Sequence, residues 1–380
     1  MEFAWSNDAR ARRDALIEFV HSELDNNPAD LEPDCIFAAK DWTRCANYGV
    51  LGLVASRTYG GAGLDPLTGV YLMEALGYAC RDTGLTFAIL SQMLSIQPAI
   101  ELFGTDHQKE TWLRRLIAGA HGAFAITEDG SGSDTYSLEA TAVRVEGGYR
   151  LTGHKKYITL APVADIAVVF ATVDPSKGQW GVTGFIVERG QEGFSTTATQ
   201  PKMGLRTTPI GDIVLEDCFV PESNLLGEEG AGVGIFNKAM EWERSFIFAA
   251  QVGAMERQLE ETIRYAKQRK QFGTPIGKFQ SVANRIVDMK LRLETSRLLL
   301  YKVAWLLSQG KPIVIDAALA NLHLGDAFVE SSLDAVRNHG ARGYLSEYEV
   351  ERDFRDSVGG LIYSGTSDIQ RNIIARMLGL

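Results

Sequence analysis

Hydrophobic spacing changes period twice along this 380-residue chain, and that double switch restricts the fold more than any other feature. From Asp8 to Leu24, Ala11, Leu16, Phe19 and Val20 recur at helical intervals, and Met73–Cys80 and Gln108–Ile117 continue the pattern. Near Gly122 the texture becomes β-prone. Short runs follow at Phe124–Thr127, Leu138–Val145, Tyr149–Gly153, Ile166–Ala171, Gly181–Val187 and Asp212–Leu215, with Gly147-Gly148 marking a hairpin. From Gly232 onward, amphipathic helical stretches return at Gly234–Gln268, Phe279–Ser308, Ile313–Asn338 and Ile369–Leu378. This order predicts an α+β chain in three units: a helical domain over 1–121, a small β-barrel or sandwich over 122–225, and helices over 226–380. The length itself requires more than one minimal core.

Several function classes are excluded by what the chain lacks. No run approaches the roughly 18 uninterrupted apolar residues of a membrane span. Met1-Glu2-Phe3-Ala4-Trp5 is not a basic stretch leading into an apolar one, so a secretory signal is not expected and a cytoplasmic location is. Cys35, Cys45, Cys80 and Cys218 show no metal-ligand spacing, and His154 and His339 have no metal-like companions, so no metal site is expected. A net charge of −10 argues against nonspecific nucleic-acid binding. Gly230-Ala231-Gly232-Val233-Gly234 does not match the dinucleotide fingerprint, and no βαβ unit surrounds it.

Four blocks carry chemistry. Ala125-Ile126-Thr127-Glu128-Asp129-Gly130-Ser131-Gly132-Ser133-Asp134 reads as a strand running into a Gly/Ser loop. Its N–H groups and the Thr127 and Ser133 hydroxyls can meet an anionic or ring-edge acceptor, although a plain surface turn reads the same way. The others are Gly153-His154-Lys155-Lys156-Tyr157-Ile158-Thr159, Gln268-Arg269-Lys270-Gln271-Phe272-Gly273 and Ile362-Tyr363-Ser364-Gly365-Thr366-Ser367-Asp368-Ile369-Gln370-Arg371. Taken alone, Tyr157 is a core strand residue and Arg269 a solvated helix-end charge.

In this order, spread over nearly the whole chain, the blocks resemble the acyl-CoA dehydrogenase family, flavoenzymes that desaturate acyl thioesters. The resemblance implies a C-terminal four-helix bundle, assembly as a homodimer or homotetramer, and FAD as cofactor. It assigns Phe124, Ile126, Thr127, Gly132 and Ser133 to FAD through the first block. Tyr157 would pack on the flavin and Thr159 would hydrogen-bond near its reactive nitrogen. Arg269, Gln271, Phe272 and Gln280 would reach the FAD of a neighbouring subunit, with Gly340, Thr366 and Asp368 also near cofactor. Two departures stand out: Asp129 replaces a usual proline, and Gly340-Ala341 replaces a Gly-Gly pair.

The tail block holds a third departure, because many members keep their catalytic glutamate where this chain has Ser364. A hydroxyl cannot act as a carboxylate base near neutral pH. In Lys238-Ala239-Met240-Glu241-Trp242-Glu243-Arg244, two carboxylates lie about 200° apart on one helix, so one pocket takes only one of them. The resemblance selects Glu243, where isovaleryl-CoA dehydrogenase and some relatives keep a base; a surface residue paired along the helix is the plain alternative. Ser364 can still offer its backbone N–H to the thioester carbonyl, since an oxyanion donor needs no side chain.

The stretch Gly277–Glu294, with Trp242-Glu243-Arg244 and Ser364-Gly365-Thr366, looks like the branch that oxidises groups on carrier proteins, prolyl-carrier-protein dehydrogenases among them. The expected substrate is an acyl or aminoacyl thioester on an acyl or peptidyl carrier protein, or else a short or branched acyl-CoA. The electron acceptor is left open between electron-transfer flavoprotein and oxygen. An oxygen-using flavin oxidase or N-oxygenase, and a non-catalytic partner-binding protein, are the readings of other classes. Bulky residues such as Trp242 or Phe246 would suit a pocket for small substrates.

Overall fold

A computed structural model describes residues 4–25 and 27–380; Met1, Glu2 and Phe3, at the start of the expected first domain, and Asn26 lie outside the described residues. Helices come first: α1 (Asn7–Glu23), α2 (Ala39–Tyr48), α3 (Pro66–Ala79), α4 (Thr83–Leu94), α5 (Ile96–Phe103), α6 (Asp106–Gln108) and α7 (Arg114–Ile117). Strands β1 (Gly122–Ala125), β2 (Thr141–Val145), β3 (Gly148–Thr159), β4 (Ile166–Thr172), β5 (Val182–Glu188), β6 (Phe194–Thr196), β7 (Ile210–Pro221) and β8 (Leu225–Leu226) follow. The chain ends in α8 (Gly232–Phe246), α9 (Ala249–Gln268), the hairpin β9 (Lys270–Gln271) and β10 (Thr274–Pro275), α10 (Gln280–Ser308), α11 (Val314–His339), α12 (Ala341–Tyr344), α13 (Val350–Val358) and α14 (Ser367–Met377).

The helix–strand–helix order matches the spacing, with instructive differences. Helix α4 escapes periodicity because it is buried almost all round, so no face alternates. Thr83–Phe103 is long and apolar enough for a membrane span by composition, a property that a search for uninterrupted runs misses, yet 83% of it is buried inside the protein. Gly234–Gln268 is not one helix. The Arg244 carbonyl accepts Asn321 Nδ2 (3.2 Å) and the Ser245 hydroxyl bonds back to the Glu241 carbonyl (2.6 Å), a pattern that bends helices, and the chain breaks between α8 and α9. Gln108–Ile117 contains a π-helical turn at Lys109–Leu113. Thr127 lies beyond β1 rather than inside a strand.

The strands form one eight-stranded sheet in the order β6-β7-β3-β2-β4-β5-β8, with β1 parallel to β4. The expected Gly147 turn is present: Val145 pairs with Gly148, and Gly147 takes a positive φ of 79°. Long antiparallel β3 and β7 carry the sheet, and their register slips between Lys155 and Ile158.

The two helical regions share one core. Side chains of α1, α3 and α4 pack with those of α9, α10 and α11 in a single cluster. Helices α3 and α9 cross closely because glycine lies at the contact. A Cβ on Gly77 would sit 1.8 Å from the Ala250 carbonyl oxygen, and one on Gly253 1.9 Å from that of Glu74. A second cluster seats the first half of α8 against β4, β5 and α5.

Candidate active site

Glu243 and Ser364 come from elements far apart in sequence and meet directly. The Ser364 hydroxyl donates to Glu243 Oε1 at 2.5 Å. Glu241, on the other side of α8, pairs with Lys238 at 2.7 Å, as their angular separation predicts. Burial raises the Glu243 carboxyl above its ordinary range, and the Ser364 hydrogen bond and the neighbouring Arg244 charge only partly oppose it. Such a carboxylate is a stronger base than an exposed one.

The turn that presents Ser364 is strained and braced. Ser364 has φ 58° and Gly365 φ 90°. Gln370, fully buried on α14, donates through Nε2 to the carbonyls of Ser364 (3.2 Å) and Gly365 (2.9 Å). A Cβ on Gly365 would lie 2.9 Å from that nitrogen, so glycine is required. Thr366 caps α14 by accepting the Ile369 N–H (3.3 Å). The Ser364 N–H itself makes no hydrogen bond among the described residues, leaving a donor for a ligand oxygen. Arg244 Nε is likewise buried with no partner.

Aromatic rings wall this space. Tyr363 packs between Phe87 (4.6 Å between centroids) and Phe248 (5.5 Å). Trp242 is half-buried with its ring against Phe246 (5.7 Å). Phe246, like Phe87 and Phe248, is buried in the core cluster.

A second cluster lies on the sheet's rim. Glu128–Ser131 is a tight turn, with mutual backbone bonds of 3.0 and 3.3 Å. Beneath it Lys155, with 0% exposure, donates to Glu128 Oε1 at 2.5 Å and to the Ile126 carbonyl at 3.2 Å. Burial pulls the Lys155 amine down to about 8, with Glu128 opposing. Glu128 also accepts the N–H groups of Glu139 (2.6 Å) and Ala140 (3.1 Å), closing the loop that carries Gly132 and Ser133. Both of those residues are exposed, and a Cβ on Gly132 would meet nothing within 4 Å.

Tyr157 stands at the slip in β3 with φ 58° and is 60% exposed. A left-handed φ at a bulky residue costs about 1–3 kcal/mol and persists where function demands it. The bulge turns the ring off the sheet and offers a flat apolar face to a ligand. Thr159 is half-buried two residues on.

The two clusters are joined by Tyr136 on the loop, whose hydroxyl donates to Asn237 of α8 (3.1 Å), and by stacking of Phe124 on Phe236 (6.1 Å). Phe124 and Ile126 sit mainly in the apolar core beside the loop. The half-buried Phe124 ring packs with Phe170 and Phe236, and Ile126 is buried in the same core. Asp368 points away and pairs with Arg371 (3.5 Å).

Arg269, Gln271, Phe272 and Gln280 are not brought to this site on their own chain. Arg269 ends α9, and the β9–β10 hairpin turns through Phe272 (φ 51°) and Gly273 (φ 75°), leaving Phe272 95% exposed. Gly340 has φ 61° and ψ −133°, a conformation suited to glycine, and Ala341 beside it is exposed.

This donor set fits FAD, the cofactor that the resemblance implies. The exposed Tyr157 face would take a flat ring, and the Gly132–Ser133 loop would meet phosphate oxygens. Sequence reasoning passed over Glu128, Lys155, Asp212, Arg244 and Gln370. A faint signal existed for Gln370 alone, one helical turn beyond the Thr366 cap.

Known proteins resemble the chain over nearly its whole length. Models of the acyl-CoA dehydrogenase N-terminal, middle and C-terminal domains match residues 6–120, 123–218 and 230–379. The chain is 45% identical over 346 residues to an L-prolyl-[peptidyl-carrier protein] dehydrogenase of Pseudomonas fluorescens, covering 90% of this chain and 91% of that one. Among solved structures, the prolyl acyl carrier protein oxidase AnaB superposes with a TM-score of 0.98 at 44% identity, covering 99% of this chain and 100% of that one. PigA with FAD and proline gives 0.97 at 38% identity, covering 100% of both chains. The chain belongs to the acyl-CoA dehydrogenase family.

Proposed function

We propose that the protein is an FAD-dependent dehydrogenase that oxidises an acyl or aminoacyl thioester held on an acyl or peptidyl carrier protein, with a prolyl group as the favoured cargo. The observation that carries this reading is the Ser364–Glu243 hydrogen bond. It puts the α8 carboxylate at the turn where Ser364 stands, and so supports an active enzyme with a relocated base. The carrier-bound prolyl cargo is supported by the prolyl substrates named for the relatives.

The reaction removes a proton from Cα and a hydride equivalent from Cβ of the substrate. FAD, when bound, supplies the acceptor for that hydride. Glu243, ionised, takes the Cα proton onto a carboxylate oxygen. The Ser364 N–H donates to the thioester carbonyl and makes that proton more acidic. Phe87, Tyr363 and Phe248, packed together beside Ser364, give this side of the site an apolar wall. Tyr157 and the Gly132–Ser133 loop hold and orient the cofactor.

The proposal includes a homo-oligomer, a dimer or tetramer. The exposed carboxylates of Asp129 and Asp134 flank the Gly132–Ser133 loop, so an added cation would favour a pyrophosphate there. The exposed Arg269–Phe272 hairpin of a second copy would provide an arginine and an aromatic ring. A cytoplasmic location is part of the same reading.

The test is anaerobic mixing of flavin-loaded protein with prolyl-carrier protein, other aminoacyl-carrier proteins and isovaleryl-, isobutyryl- and butyryl-CoA. Bleaching of the flavin by the carrier-bound prolyl group alone is expected. Bleaching by a free CoA ester alone would make it a short- or branched-chain acyl-CoA dehydrogenase. Readmitting air then separates acceptors: rapid return of the yellow colour means oxygen, and slow return means a protein such as electron-transfer flavoprotein.

A further inference from the structure

Consecutive backbone N–H groups of a strand face opposite neighbours. At the bulge of β3, the Lys156 N–H finds the Thr127 carbonyl (2.8 Å). The Tyr157 N–H has lost its ladder acceptor on β7, because register breaks between Lys155 and Ile158. It donates instead to a side chain, Oδ1 of Asp212, at 3.2 Å.

Asp212 is 4% exposed and is held from every side. Its own N–H donates to Thr197 Oγ1 (2.8 Å), and Gln200 Nε2 donates to its Oδ1 (3.0 Å). His154 Nε2 lies 3.0 Å and Lys156 Nζ 3.6 Å from Oδ2. Burial alone would raise its carboxyl, but the Tyr157 N–H, His154, Gln200 and Lys156 outweigh that and hold it below the usual range. A carboxylate buried in a sheet, where a backbone carbonyl would ordinarily serve, needs a reason.

We propose that Asp212 is a positioning residue for the flavin site: its carboxylate replaces the missing ladder acceptor and locks Tyr157 in the left-handed conformation that turns the ring outward. Without that acceptor, Tyr157 relaxes to extended backbone and its ring turns away from the ligand face. The inference rests on FAD as the cofactor.

The experiment titrates deflavinated protein with FAD, following flavin fluorescence and the visible spectrum. Asp212→Leu, near in shape but without an acceptor, should weaken FAD binding roughly tenfold and shift the flavin bands as Tyr157→Ala does. Asp212→Asn retains an acceptor oxygen and should stay near wild type. In a Tyr157→Ala background, Asp212→Leu should cost nothing further. Wild-type affinity and spectrum in Asp212→Leu would overturn the assignment, as would full additivity with Tyr157→Ala. Should Asp212→Leu fail to fold, Gln200→Leu loosens the same carboxylate from the side; it should shift the bands the same way, and an unchanged spectrum overturns the role. Failure of the unaltered protein to bind FAD would instead overturn the cofactor reading.

Discussion

The Ser364 hydroxyl donates to Glu243 at 2.5 Å, so the residue that stands in the tail motif orients the base supplied by α8. A turn with φ 58° aims that hydroxyl, and Gln370 secures the turn. One position thereby offers two donors: its N–H toward substrate and its hydroxyl toward the base.

Replacing the carboxylate separates base from binding. Glu243→Gln should lower the rate of flavin reduction by roughly 10²–10⁴-fold while leaving FAD bound. Stopped-flow bleaching against the static flavin spectrum measures both. Wild-type reduction in this variant would remove Glu243 from the mechanism.

The hydrogen bond also sets the pH dependence. Burial raises the Glu243 carboxyl, and the Ser364 hydroxyl pulls it partly back. The base must be ionised, so kcat/KM falls as pH drops through its pKa. Ser364→Ala removes the opposing donor, and the acid limb should move to higher pH while the backbone N–H is preserved. A limb that stays put or moves down would contradict this pairing.

Gly365→Ala should cost about 1–3 kcal/mol, because φ 90° disfavours any side chain and the new Cβ meets Gln370 Nε2. Denaturant unfolding reads the stability change, and flavin reduction should fall with it as Ser364 shifts.

Lys155 and Glu128 form a fully buried pair under the flavin loop. Glu128→Gln leaves the ammonium without its counter-charge, a loss of roughly 3–5 kcal/mol by denaturant titration. Faster proteolysis of the Glu128–Glu139 loop should accompany it.

A separate pH effect belongs to Asp356 of α13, which accepts the Leu205 N–H at 2.5 Å. Burial pushes its carboxyl up to about 7; the Leu205 N–H and Arg352 oppose this, and Asp353 adds to it. Between about pH 4 and pH 7 the folded protein therefore keeps a proton that the unfolded chain releases, and stability falls as pH rises through that window. Asp356→Asn cannot ionise and should remove this slope. Its Tm should exceed that of the unaltered protein at pH 8, with the difference vanishing toward pH 4.

The three-part order and the Gly147 hairpin follow from local periodicity and turn chemistry, which depend only on near neighbours. The choice of Glu243 over Glu241 needed helical geometry together with the family resemblance, and α8 then set the two carboxylates on different sides. Helix α4 left no such trace, because burial on nearly all faces erases the alternation that marks a helix. The sharing of one core by the first and last helices was equally hidden, since it depends on glycine contacts between α3 and α9. The two pairs that define the site, Ser364 with Glu243 and Tyr157 with Asp212, span 121 and 55 residues. The family resemblance named Glu243, Ser364 and Tyr157 as candidates, and nothing in the sequence singled out Asp212. Which donor reached which acceptor was decided only by tertiary packing, because a hydrogen bond requires atoms about 3 Å apart and no local pattern sets a distance across that much chain.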